Sequence, residues 1–466
     1  MATLAALILL AVLAVLAVVG ITWWQQHGQT QGQRPGHLQG RPHGHDAAAP
    51  MLQPGSSPSA EQIARGQYLA QAGNCAGCHT APGGADYAGG VPLRTPFGTV
   101  YGGNLTPDAE TGLGRWTAQD FWHALHEGRS RDGRLLNPAF PYENFSLIRR
   151  EDSDALYAYL QTLPAVSQPA KRPDLRFPAN TQWGLALWRT LHFPAPPPEP
   201  PALARGEYLT RGLAHCSACH ATRNALGAQA GTQDFSGQLM PGGRAYAPPL
   251  PPAGRADVGP WTIEDLAAYL KTGHSRQGAA LGLMAEVVAG STQHLQTQDL
   301  KAMAEWILSR PGAQAFAPAT PAAPNAPPAP PAPTVPTTTA SPAAAAATVT
   351  RTEPGQAVAS GLGLGARLYS DHCATCHGAQ GQGVAGLYPP LAGNPRVARD
   401  PATNLIRIIL EGGFGPATEG HPRPFGMPPF GHVFKPEEVA AVATYIRQQW
   451  NGSASEVTPL DVLRHR

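Results

Sequence analysis

"CAGCH" at Cys75–His79, "CSACH" at 216–220 and "CATCH" at 373–377 hold all six cysteines of the 466-residue chain. None is left for a disulfide or a reactive thiol. C-x-x-C-H is the attachment pattern of c-type haem, and the spacing has a chemical reason. Two cysteines three apart on one helical turn can form thioethers to the two vinyl groups of a haem. The histidine that follows is then held beneath the iron as an axial ligand. A zinc knuckle or a thioredoxin-like pair would use the same letters differently. Structural zinc needs four N/S ligands, usually from two pairs close together. These pairs lie about 140 and 157 residues apart, and each is followed at once by His. The sequence therefore predicts three c-type haems, with Cys75, Cys78, Cys216, Cys219, Cys373 and Cys376 as attachment points. His79, His220 and His377 are the expected proximal iron ligands.

Around each motif the chain repeats itself. "ARGQYLAQAGNCAGCHT" starts at Ala64, "ARGEYLTRGLAHCSACHA" at Ala204 and the shorter "ARLYSDHCATCHG" at Ala366. A middle helix follows in the first two copies, "WTAQDFWHALHEGRSRDG" from Trp116 and "WTIEDLAAYLKTGHSRQG" from Trp261. Thr117 and Thr262 are the expected N-caps, with Asp120 and Asp265 in capping-box position. Gly128 and Gly273 should stop these helices. Each copy ends on an amphipathic helix: "EDSDALYAYLQTLP", "QDLKAMAEWILSRP" and "PEEVAAVATYIRQQW". The expected fold class is all-α, with three class I cytochrome c domains in tandem after an N-terminal transmembrane helix.

The expected boundaries are 1–24 for the anchor, 25–58 for a flexible tether and 59–168 for the first domain. A connector at 169–200, a second domain at 201–312, a Pro/Ala-rich spacer at 313–356, a third domain at 357–450 and a tail at 451–466 complete the chain. The anchor rests on "LAALILLAVLAVLAVVGITWW", about 21 residues without a charge and long enough to span a bilayer. No Lys or Arg precedes it, unlike a cleaved signal peptide. Because c-type attachment takes place outside the bacterial inner membrane, the haem domains are expected in the periplasm. The His-rich tether reads as solvated linker rather than a metal site. The spacer, "APATPAAPNAPPAPPAPTVPTTTASPAAAAA", reads as disordered or polyproline chain on which a third haem could swing or dock.

An electron-transfer haem usually takes methionine opposite its histidine, and the thioether raises the potential. Met427 ("FGMPPF") is the only methionine of the third copy. In the second copy Met284 ("LGLMAEVV") holds the matching place. Met240 lies in the loop after the haem motif, and Met303 reads as core. Aligning the first copy on the second puts Phe140 ("LLNPAFPY") on Met284, and Phe has no donor atom. Three explanations stand open: a five-coordinate iron with Phe140 as an apolar lid, ligation by His123, His126 or Met51, or a rearranged loop.

"VPLRTPFGTVYGGNLTPDAETGLGRWT", "SRDGRLLNPAFPY" and "LMAEVV" resemble the three-haem cytochrome c subunit of bacterial membrane-bound dehydrogenases. The resemblance covers roughly residues 59–450. It implies an electron-transfer subunit with no catalytic residues of its own, accepting from a catalytic dehydrogenase subunit and passing electrons to quinone or a terminal oxidase. In the alcohol and gluconate branch the distal loop usually reads "PAMPY". "PAFPY" is similar instead to cytochromes paired with molybdenum hydroxylases acting on aldehydes or N-heterocycles. A quinoprotein or flavoprotein alcohol or sugar dehydrogenase is the alternative partner. An alternative of another class is a peroxidase-like haem enzyme using an open first haem, against which no distal acid/base pair is visible. Lys+Arg of 33 against Asp+Glu of 31 gives a formal charge of +2. That balance speaks against a nucleic-acid partner.

Overall fold

The structure is a computed structural model that describes residues 57–255, 258–311, 357–452 and 454–466. Each copy opens on an entry helix, Ala60–Ala72 in the first. Ser59 caps it, its side chain accepting from the Gln62 N–H at 3.1 Å. The middle helices Ala118–Glu127 and Ile263–Thr272 start on Thr117–Asp120 and Thr262–Asp265 capping boxes. They stop at Gly128 (φ 62°) and Gly273 (φ 76°), where a left-handed residue is required.

Closing helices Arg150–Leu160, Thr297–Leu308 and Pro436–Asn451 cross the entry helices at a glycine in every copy. A Cβ added at Gly66 would lie 1.9 Å from the Ala155 carbonyl oxygen. At Gly206 it would lie 2.0 Å from that of Ala302, and at Gly365 2.4 Å from that of Ala441. Only a residue without Cβ allows backbones this close. The second entry helix carries one residue more before its first cysteine. Cys75 is nine residues beyond Gly66, but Cys216 is ten beyond Gly206. The surplus is absorbed as a π-helical turn, Tyr208–Leu213.

The expected all-α class is corrected. Among the described residues four small antiparallel sheets accompany the helices. The largest joins Pro92–Thr95, Gly98–Tyr101 and, from the connector, Asp174–Leu175. The others are two-residue ladders such as Gly413–Phe414 with Gly426–Met427. The Pro/Gly-rich loops fold back on themselves, and their backbone groups pair locally instead of staying open. The expected transmembrane helix and inner-membrane location are corrected as well. Among the described residues no helix is long and apolar enough to cross a membrane. The longest, Ala357–His372 and Pro436–Asn451, have 16 residues each. At 1.5 Å per residue each is about 24 Å long, short of a hydrocarbon core of about 30 Å. The apolar run at 1–24 itself lies outside the described residues, as do the tether through residue 56 and the spacer.

The first two copies bury their apolar faces in one shared core, which includes Leu69, Leu156, Leu209, Leu213, Leu300 and Met303. The third copy has its own, around Tyr369, Ile406, Val439, Val442 and Ile446. Val457 and Val462, near the C-terminus, are buried in it. The connector helix Gln182–His192 lies against the loop at 135–142 of the first copy. The Gln182 Oε1 accepts from the Leu135 N–H at 2.8 Å, and Arg189 sits over the Tyr142 ring. Trp188 donates to the Leu226 carbonyl of the second copy at 2.8 Å. The third copy meets the second through Asn404, bonded to both backbone groups of Tyr246 at 2.8 Å. The Arg396 guanidinium lies 5.1 Å from the Trp261 ring centre.

Candidate haem-attachment sites

Each C-x-x-C-H forms a short helical turn directly after the entry helix: Cys75–His79, then Ser217–His220 preceded by Cys216, then Ala374–His377 preceded by Cys373. One turn brings both thiols to the same side, as attachment to one macrocycle needs. Burial pushes the Cys75 and Cys216 thiols up to about 12 and the Cys373 thiol up to about 11. Burial thus favours the neutral thiol over the thiolate at these positions.

The three histidines share a second feature, a backbone acceptor for the ring. The His79 Nδ1 lies 2.6 Å from the Gly103 carbonyl oxygen, the His220 Nδ1 2.6 Å from that of Pro248, and the His377 Nδ1 2.9 Å from that of Pro389. A carbonyl only accepts, so Nδ1 carries the proton and Nε2 keeps its lone pair. That tautomer is the one an iron ligand needs, and the bond also fixes the ring's orientation. Burial holds all three histidines below the ordinary imidazole value, which keeps them neutral. The donor set and its orientation therefore fit a c-type haem at each turn.

The sequence holds a signal for these acceptors. Pro248-Pro249-Leu250 and Pro389-Pro390-Leu391 are the same tripeptide, and Gly103-Asn104-Leu105 takes its place in the first copy. Gly102, just before, has no room for a side chain, because a Cβ would lie 1.8 Å from the Cys78 carbonyl oxygen. Asn104 then knots the loop. Its Nδ2 donates to Thr111 and to the Val166 carbonyl, while its Oδ1 accepts from the N–H and hydroxyl of Thr106.

Of the methionines expected as ligands, Met284 lies in helix Leu283–Gly290 and Met427 on the strand Gly426–Met427, each half-buried against its core. Met303 is buried in the closing helix and Met240 sits in a turn, its N–H bonded to the Ala245 carbonyl. Phe140 occupies a tight turn between Asn137 and Tyr142. Its ring centre is 5.2 Å from Phe145, whose ring meets His215 edge-on at 5.5 Å. The other candidates on the middle helix are engaged elsewhere. The His123 Nδ1 is 2.8 Å from Glu127 and its Nε2 is 2.8 Å from Gln119. The His126 Nε2 is 2.9 Å from the Pro197 carbonyl oxygen, with its ring stacked on Trp122. Met51 lies outside the described residues.

The first two attachment turns are neighbours. The His215 Nε2 is 3.3 Å from the Gly73 carbonyl oxygen, and the Ser291 hydroxyl donates to the Ala72 carbonyl at 3.1 Å. Burial raises the Cys78 thiol, and the nearby Cys219 raises it further. Among the described residues no group of three or more His, Cys, Asp or Glu is placed to hold a bare metal ion.

The cytochrome c family model matches residues 63–164 and 363–450. The chain is 36% identical to the cytochrome c subunit of the quinone alcohol dehydrogenase of Gluconacetobacter polyoxogenes, over 87% of this chain and 84% of that one. It is also 36% identical to the gluconate 2-dehydrogenase cytochrome c subunit of Pantoea cypripedii, over 86% and 88%. A nicotinate dehydrogenase subunit of Pseudomonas putida is 38% identical over 88% of this chain, which corresponds to 32% of that longer protein.

Proposed function

Because the chain belongs to the family of cytochrome c subunits of bacterial dehydrogenases, a haem-carrying subunit that takes electrons from a dehydrogenase, we propose a fuller reading of it. It carries three c-type haems and receives electrons from a molybdenum hydroxylase acting on aldehydes or N-heterocycles. It delivers them to the respiratory chain through quinone or a terminal oxidase. When bound, each haem supplies a reversible one-electron couple. The chain's own residues do the rest. The cysteine pairs would hold the macrocycle by thioethers, and the pinned Nε2 of His79, His220 and His377 would be free to bind iron. Met284 and Met427 would supply thioether donors to the iron, and Phe140 would supply none.

The observation that carries this reading is the histidine tautomer set by a backbone carbonyl at all three C-x-x-C-H turns. The choice of partner rests on "PAFPY" at 138–142 and on the likeness to the nicotinate dehydrogenase subunit. A second reading, an alcohol or sugar-acid dehydrogenase as donor, is carried by the other two relatives. Covalent haem content tests the first part. The denatured pyridine spectrum should give three haems per chain, and Cys75→Ala/Cys78→Ala should lower that to two. A wild-type count of two or fewer refutes the three-haem reading. Reduction of the purified protein by a co-purifying molybdenum enzyme with its aldehyde or heterocycle supports the first donor. Reduction only by a quinoprotein or flavoprotein supports the second.

A further inference from the structure

Tyr68 stands on the entry helix of the first copy, yet its hydroxyl donates to Asp299 at 2.5 Å, on the closing helix of the second. Tyr208 stands on the entry helix of the second copy, and its hydroxyl donates to Asp152 at 2.5 Å, on the closing helix of the first. Each hydroxyl also accepts from the N–H at the N-cap of that same helix, Gln296 at 3.2 Å and Arg149 at 3.4 Å. Neither N-cap side chain bonds its own helix. The first turn of each closing helix is therefore capped by a tyrosine from the other copy. Arg65 and Arg205 complete the two carboxylates from within their own copies, at 2.6 and 2.8 Å. Both aspartates are buried. Exchanging the copies exchanges the two contacts, which is the property of a two-fold, isologous interface.

The third copy takes no part in this arrangement. Two residues beyond its crossing glycine, Gly365, stands Arg367 instead of Tyr. Glu438 bonds the N–H of its own N-cap residue Lys435 at 2.8 Å.

We propose that Tyr68 and Tyr208 are positioning residues that, by capping each other's closing helices, hold the first two haem-attachment turns at one fixed separation and make the first two haems a coupled pair. This rests on the haem-binding reading above. The two turns already touch through His215 and Gly73. Tunnelling between redox centres weakens steeply with separation, so a pair held at one separation exchanges electrons at one rate instead of a spread of rates.

Tyr68→Phe, Tyr208→Phe and the double variant test it in the full-length haem protein, since Phe keeps the ring and removes only the hydroxyl. Covalent haem content is read first. A wild type without c-type haem removes the haem reading itself, whereas haem-replete protein tests the positioning alone. Circular dichroism across the Soret band of the wild type should show the bisignate couplet of two haems in fixed mutual orientation. The double variant should lose that couplet with haem content and absorption unchanged. A couplet that survives both substitutions, or a haem-replete wild type with none, overturns the proposal. If the double variant fails to hold its haems, the single variants decide: a diminished couplet supports the proposal and an unchanged one refutes it.

Discussion

Phe140 leans 5.2 Å from Phe145, and through it reaches the edge of His215 beside the second attachment turn. A thioether at this place would favour Fe(II) and raise the potential, whereas a phenyl ring leaves only an apolar wall. Phe140→Met should therefore raise the midpoint potential of the first haem and remove any binding of carbon monoxide there. Redox titration with a carbon monoxide difference spectrum checks this, and no change in either would mean that another group already holds the sixth position. The lost aromatic contact should cost about 0.5–1.5 kcal/mol of stability. The alignment of two copies of the repeat is what sets Phe140 against Met284, and this variant tests that expectation. The acceptors for His79, His220 and His377 were not legible, because a backbone oxygen has no letter in the sequence. Only the recurring Pro-Pro-Leu hints at them.

Where helix meets helix, glycine decides. Alanine ordinarily favours a helix interior over glycine by about 1 kcal/mol. At Gly66 its Cβ would instead lie 1.9 Å from the Ala155 carbonyl oxygen, so Gly66→Ala should destabilise by about 1–3 kcal/mol through overpacking. Gly363→Ala, on the third entry helix with open space around it, should stabilise by up to about 1 kcal/mol. Denaturant unfolding of both variants reads the two signs, and equal effects would refute the crossing argument. Helix starts such as Thr117–Asp120 and stops such as Gly128 were legible because capping is local, spanning a few neighbouring residues. The strands were not. Leu175 pairs with Gly98 across more than seventy residues, and two-residue ladders leave no periodicity. The π turn at Tyr208–Leu213 shows in the sequence only as one surplus residue between copies.

At the scale of the whole molecule, two separate cores predict two unfolding steps, one for the joined first and second copies and one for the third. Arg396 over Trp261 and Tyr269 is a main tie between them. Arg396→Ala should loosen the docking, increasing the radius of gyration in solution scattering while haem content stays constant. An unchanged radius would mean that the Asn404–Tyr246 bonds suffice. Three copies were legible from three C-x-x-C-H motifs. That two of them fuse was not, because Tyr68 and its partner Asp299 are 231 residues apart.

The reciprocal caps also bear on descent. Contacts that come in matched pairs are those that two identical chains make with each other, before any strand joins them. Once both partners are written into one strand, each half can mutate without its twin. The π turn at Tyr208–Leu213, present in the second copy and not in the first, is the kind of divergence that such a joining sets free.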